Sequence, residues 1–150
     1  MLKPTKILVL TDFSEPSNRA LRQAIDIAKQ YHAKVFLLHV IHGEFYGSWD
    51  LFALVLGEEL LRQMTDRHWA ETKERLQNQL DKFPEAKEVE VVTNIRRGIP
   101  YEVILDEGKE EGIDLIVIAS LGRTGIVKYL IGSVARNVLK GARCPVLLTK

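Results

Sequence analysis

Ser120, Gly122, Arg123, Thr124, Gly125, Lys128, Gly132 and Ser133 lie in one short segment whose residue types suit a single task, the holding of an anion. Glycine lets a ligand come close to the backbone, hydroxyls and peptide N–H groups donate hydrogen bonds, and the two cations balance negative charge. The order of the segment points the same way. Leu115 to Ala119 is an apolar, β-branched run of the kind that forms a strand buried on both faces, and a helical pattern opens at Gly132-Ser133 and runs through Leu139. A strand that empties into a glycine-rich loop and then into a helix brings free N–H groups and the positive end of the helix dipole together. The segment therefore reads as a phosphate-binding loop. It is not a Walker A loop, because no Gly-Lys-Ser/Thr follows at the required spacing, and no G-x-G-x-x-G dinucleotide fingerprint occurs in the chain.

Other chemistry finds no support. The chain has no H-E-x-x-H, no C-x-x-C, no Asp-rich metal loop and no G-x-S-x-G elbow. His39 and His42 fall on opposite faces of a strand, which argues against zinc. The 150 residues fit one domain, 1–150, and 46% hydrophobic with 27% charged residues is ordinary for a soluble globular chain. A formal net charge of +1 without a basic block argues against nucleic acid as the main partner. The single cysteine, Cys144, rules out an internal disulfide framework and reads as a small buried hydrophobe. No run approaches a membrane span and residues 1–6 lack a signal-peptide core, so a cytoplasmic location is expected.

The elements that must position the loop follow in order. Lys6 to Leu10 reads as a central parallel strand, and Ser14-Glu15-Pro16 as a helix start with a capping hydroxyl. Ala20, Leu21, Ala24, Ile25, Ala28 and Tyr31 share one helical face, and residues 34–41 form the second strand. Residues 42–57 are irregular and unusually apolar, which fits a lid, a partner surface or a short helix, with a cap over the sheet edge slightly favoured. Residues 58–83 read as one long helix with Leu61, Met64, His68, Thr72, Leu76, Leu80 and Phe83 on one face, and Met64 and Trp69 as packing residues. A third strand is expected over 89–95, a helix over 101–111 closed by Gly112, a helix over 133–140 closed by Gly141, and a last strand from Val146 to Leu148. Five strands alternating with four helical segments imply an open, doubly wound parallel sheet. Asp12, at the carboxyl end of the first strand, is either a ligand contact or a cap or turn residue; the residues alone leave the two even. Arg96 and Arg97 reach either a phosphate or water.

Read as small-x2-Gly-x9-Gly-Ser, the loop runs Ala119, Gly122, Gly132, Ser133, and this resembles the G-x2-G-x9-G-S/T signature of the nucleotide-binding universal stress proteins. Val9-Leu-Thr-Asp-Phe-Ser14 with Ser17-x-x-Ala-Leu21, Leu37-Leu-His-Val40, Gly98-x-Pro-x-x-x-Ile104 and Cys144-Pro-Val-Leu-Leu148 extend the resemblance over nearly all the chain apart from residues 42–57. It implies a Rossmann-like fold of the adenine nucleotide α-hydrolase kind, with strand order 3-2-1-4-5 and a switch point between strands one and four. It also implies a bound ATP or ADP. The ribose would lie on Asp12 beside Thr11, the adenine would meet the backbone of Val40, and the Gly98–Pro100 turn would pack against the site. Ser120, Gly122, Arg123, Thr124, Gly132 and Ser133 would then hold the phosphates. Mg2+ or Mn2+ would bridge phosphate oxygens, and a homodimer would form through the strand from Val146 to Leu148. Two positions depart from the pattern: Ala119 stands for the first glycine and Leu121 where the family often has histidine. Alanine is still small but cannot take up φ > 0 without cost, and leucine offers no polar contact.

The functional expectation is an ATP- or ADP-binding stress-response protein with a regulatory role and at most slow ATP hydrolysis, since no catalytic residue can be assigned. A nucleotide-free dimeric interaction module of the same fold is the alternative, favoured by Ala119 and opposed by Gly122, Gly132 and Ser133. A true hydrolase or nucleotidyl-transfer enzyme lacks an evident base.

Overall fold

Strand β1 (Lys6–Leu10) lies at the centre of a five-stranded parallel sheet, and its apolar sequence is explained by burial on both faces. The computed structural model describes residues 2–42, 49–121 and 131–150. Helix α1 (Glu15–Tyr31), β2 (Lys34–His42), α2 (Trp49–Leu56) and α3 (Glu58–Asp81) follow, then a 3-10 turn at Pro84–Glu88, β3 (Val91–Gly98), α4 (Pro100–Glu110), β4 (Leu115–Ala119), α5 (Ser133–Gly141) and β5 (Val146–Thr149). The strand order is β3-β2-β1-β4-β5, as the resemblance implies. Every pairing is parallel, with Leu8 beside Phe36 on one side and Ile116 on the other. Alternate residues of the strands feed two cores. Ile7, Val9, Leu37 and Val117 pack with Leu21, Ile25 and Leu76 of α1 and α3, while Leu8, Leu38 and Ile116 pack with Ile104 and Val138 of α4 and α5.

Several boundaries differ from the sequence reading for identifiable reasons. β3 begins at Val91, not 89, because Val89 N–H still donates to Ala86 O of the 3-10 turn; it then continues through Arg96 and Arg97 until Gly98 pairs with His42. Gly141 is the last helical residue of α5, not its terminator, and a Cβ there would lie 2.5 Å from Leu105 Cδ1. Its role is to let α4 and α5 approach closely. Tyr31 is exposed, since the left-handed His32 turns the chain into β2 directly after it. Met64, His68 and Trp69 are exposed too, because α3 buries its face only at Leu61 and then along Thr72, Leu76 and Gln79. The stretch read as irregular contains a fifth helix, α2; residues 43–48 of it lie outside the described residues. Cys144 is half-buried, and desolvation pushes its thiol up.

Asp114 ties the start of β4 to the start of β1. Its carboxylate accepts from Thr5 N (2.9 Å), Thr5 Oγ1 (2.6 Å) and Lys6 N (3.0 Å). Burial pushes its carboxyl up, but these hydrogen bonds outweigh it and hold the group below the usual aspartate range. A carboxylate lowered in the folded state stabilises fully above the unfolded value of about 3.9, and loses that contribution as pH falls through the folded value. Asp114→Asn should therefore lower the urea midpoint near neutrality and flatten its decline below about pH 4. An unchanged acid limb in the variant would show that the clamp adds nothing.

Candidate functional site

The site forms where β1 stops short of its neighbours. Register parity along β2 shows what this leaves open. Lys34 N–H donates to Thr5 O and Leu38 O accepts from Thr11 N, whereas Val35 N–H donates to Glu90 O. Even-numbered residues thus turn their peptide groups toward β1 and odd ones toward β3. Val40 continues the even set beyond Leu10, the end of β1, so its peptide groups face the gap above that strand. On the other flank β4 carries Ala119 past the last β1 pairing, Val9 with Val117. This is the topological switch point at which α/β sheets take ligands.

A cavity of about 220 Å3 fills the gap. Thr11, Asp12, Val40, Pro100, Ser120, Gly132 and Ser133 line it together with Ala119 and Leu121. Seven of the eleven site residues expected from sequence are thus brought together. Gly98 stands behind the cavity: its φ of 144° favours glycine, and a Cβ there would meet Val103 Cγ2 at 2.8 Å, so it allows the sharp entry into α4 at Pro100. Gly122, Arg123 and Thr124 lie outside the described residues.

The floor is Gly132 against the end of β4. Gly132 N–H donates to Ser120 O at 2.7 Å, and Ser120 N–H donates to Thr149 O at 2.8 Å, which fixes the start of α5 on the strand ends. Gly132 caps α5 with no side-chain hydrogen bond, and the next three residues, Ser133, Val134 and Ala135, all border the cavity. The first-turn N–H groups of a helix have no partner inside it, and here they sit beside a concave space. Among the described lining residues Asp12 is the one with a formal charge, and these N–H dipoles are the groups there that favour an anion.

Asp12 also has a structural task. Its Oδ1 accepts from Ser14 N (3.0 Å) and Ser14 Oγ, and Ser14 in turn caps α1 by accepting from Ser17 N. The cap or turn reading and the position at the rim both hold. Thr11 borders the cavity through a side chain committed elsewhere: its hydroxyl donates to Gln79 Oε1 (2.9 Å), accepts from Phe13 N (3.0 Å) and lies 3.1 Å from Ser17 Oγ. Gln79, almost fully buried, donates onward to Asn18 Oδ1 at 2.7 Å and so ties α3 to the β1–α1 turn.

His39, Phe13 and Arg75 were not assigned roles at the site from sequence. Phe13 has a left-handed φ of 64°, a strained value for a bulky residue. Its ring lies tilted against His39 with centroids 4.5 Å apart and carries the Arg75 guanidinium at 4.1 Å, and His39 Nδ1–H donates to Thr11 O at 2.8 Å. These contacts hold the turn that presents Asp12. No local spacing announces them, because they join the β1–α1 turn, β2 and α3. Arg96 and Arg97 do not reach the cavity lining: Arg96 pairs with Glu107 and Glu110 across β3 and α4, and Arg97 lies 5.9 Å from the Trp69 ring. Among the described residues no group of His, Cys, Asp and Glu is arranged to hold a metal, and no helix is long and apolar enough to cross a membrane.

The family model of the universal stress proteins matches residues 4–150. The chain belongs to that family. Universal stress protein MJ0577 of Methanocaldococcus jannaschii is 35% identical over 97% of this chain and 94% of its own, and its solved structure superposes with a TM-score of 0.75. MJ0531 of the same organism is 34% identical over 97% of this chain and 81% of its own. Universal stress protein UspA of Lactobacillus plantarum, 26% identical over the whole of both chains, superposes with a TM-score of 0.74. Two more distant universal stress protein structures, each with a TM-score of 0.68, were solved as complexes: one from Archaeoglobus fulgidus with dAMP at 24% identity, and one with cAMP at 21%.

Proposed function

We propose that this universal stress protein binds ATP or ADP in the crevice between β1 and β4, and that its role is regulatory, with slow or no hydrolysis. The observation that carries the reading is the start of α5: its N-terminus has no side-chain cap and borders a cavity whose other walls are the end of β2 at Val40 and the Asp12 turn. Each wall suits one part of the ligand. Val40 offers peptide groups and an apolar neighbour to adenine, the Asp12 turn borders the place for the ribose, and Gly132 and Ser133 receive phosphate. A volume of about 220 Å3 is below the roughly 300–1,000 Å3 typical of small-molecule sites. The enclosed part therefore suits a nucleoside, with the phosphates leading out past Gly132 toward Gly122, Arg123 and Thr124. Adenine nucleotides in two fold neighbours support this choice.

Mg2+ or Mn2+ would bind through phosphate oxygens, which matches the absence of a carboxylate cage among the described residues. Hydrolysis needs a base or a water-positioning group, and Asp12, the nearest acid, already accepts two bonds from Ser14. A homodimer through β5 and a cytoplasmic location belong to the same reading. β5 is a sheet edge with Val146, Leu147 and Leu148 only partly buried, and such an edge pairs unless blocked. Titration calorimetry of the full chain with ATP and ADP plus Mg2+ tests the proposal: saturable heat with a Kd below millimolar is expected. No heat at millimolar nucleotide would mean that Ala119 and Leu121 have ended nucleotide binding, and the nucleotide-free interaction module would replace it.

A further inference from the structure

We infer that Gln79 of α3 is a positioning residue of the nucleotide site: it fixes the turn that carries Asp12 and thereby couples α3 to ligand binding. The inference rests on the reading of an adenine nucleotide in the crevice. The buried positions of α3 are Leu61, Thr72, Leu76 and Gln79. Of the two polar ones, Thr72 returns its hydroxyl to His68 O of its own helix at 2.8 Å. Gln79, 3% exposed, uses both ends of its amide on other elements. Its Oε1 accepts from Thr11 Oγ1 at 2.9 Å, and its Nε2 donates to Asn18 Oδ1 at 2.7 Å. Leu76, Leu80 and Phe83 pack into the core around it, so an apolar side chain would suit this place on packing grounds. A buried amide is tolerated there only when bonded, and what its directional bonds add is a fixed geometry.

The geometry so fixed is that of the cavity wall. Thr11, Asp12 and Ser17 line the cavity, and one chain of hydrogen bonds joins all three to Gln79. Thr11 Oγ1 lies 3.1 Å from Ser17 Oγ, Ser17 Oγ donates to Ser14 O at 2.8 Å, and Ser14 N donates to Asp12 Oδ1 at 3.0 Å. The single hydroxyl proton of Thr11 goes to Gln79, which leaves a lone pair for the N–H of Phe13, the residue with the left-handed φ of 64°. Without the Gln79 acceptor that proton can turn toward Ser17, and the strained turn relaxes more easily. Arg75, one turn before Gln79, lies 4.1 Å over the Phe13 ring, so α3 holds the turn at two points. Coupling of this kind is reciprocal: what parts Gln79 from the turn weakens binding, and bound nucleotide tightens the link.

Calorimetry of the full chain with ATP and Mg2+ tests this on Gln79→Leu, with Thr72→Ala as the comparison. Gln79→Leu keeps the core filled and should retain its circular dichroism, yet raise the ATP Kd roughly tenfold. Thr72→Ala, two turns earlier on the same helix face, should lower the melting temperature and leave the Kd within about twofold. In an Asp12→Ala background, with no carboxylate left to place, Gln79→Leu should add less than about twofold. Asn18→Ala removes only the acceptor of the Gln79 amide N–H and should weaken binding about threefold, which decides the matter if the leucine variant does not fold. Absence of heat from the wild type would remove the nucleotide reading and this inference with it. The inference alone is overturned if the wild type binds and Gln79→Leu, or Asn18→Ala in its place, stays within twofold of it. An equal loss in Thr72→Ala, or an undiminished effect in the Asp12→Ala background, overturns it too.

Discussion

Gly132→Val is expected to remove ATP binding, with at least a ~100-fold loss of affinity, while α5 and the sheet remain in place. The reason is proximity, not backbone freedom. Gly132 has φ −57° and ψ 154°, values open to any residue. A Cβ at this position, however, would stand 3.3 Å from the Ser120 carbonyl that its own N–H already bonds at 2.7 Å. The γ-methyls of valine must then occupy the cavity, where phosphate would lie. Gly132→Ala adds only the Cβ and should lose less. Ser133→Ala removes one donor to a charged group and should cost about 1–2 kcal/mol, or roughly 5- to 30-fold in Kd. Calorimetry with ATP, beside melting curves to check the fold, reads all three. If the valine variant binds like wild type, the nucleotide lies elsewhere.

The largest expected loss of stability comes from Glu107→Ala, about 2–4 kcal/mol. Glu107 is 3% exposed, a rare position for a carboxylate. It accepts from Arg96 Nη1 at 2.8 Å and from Asn94 Nδ2, so it joins α4 to β3, and Arg96 also reaches Glu110 at 3.0 Å. The hydrogen bond that Arg96 donates to Glu107, with the charges of Glu110 and Glu107, raises the Arg96 guanidinium above its ordinary value against desolvation. That raised value carries no pH dependence near neutrality: its contribution is fully present below the unfolded arginine range and is lost only in strong alkali. Truncation would leave Asn94 Nδ2 without this acceptor and Arg96 paired with Glu110 alone. For a domain of this length a loss of 2–4 kcal/mol corresponds to a fall in Tm of roughly 5–15 °C. Arg96→Leu/Glu107→Met, which replaces both charges with apolar groups of similar size, should recover most of it. A single variant that melts within ~2 °C of wild type would refute the account.

The frame of this protein is local in origin. Apolar runs such as Lys6–Leu10 and Leu115–Ala119 need only their own composition to read as strands buried on both faces, and Ser14, Pro100 and Gly112 mark helix ends by chemistry within one turn. The switch-point site was legible in the same way, since Asp12, Val40, Ser120, Gly132 and Ser133 stand at strand ends that a parallel sheet must collect on one rim. Other features needed the third dimension. Thr11 is expected beside the ribose, yet its hydroxyl is taken by Gln79, 68 residues away. Phe13 reads as an apolar turn residue until His39 and Arg75 enclose it. The apolar residues of α2 and α3 have a packing pattern, but among the described residues no layer of the fold lies over them, so Leu54 and Met64 face outward. Periodicity shows which side of a helix is apolar; only the tertiary arrangement decides whether anything lies against it, because burial is settled by neighbours distant in the chain.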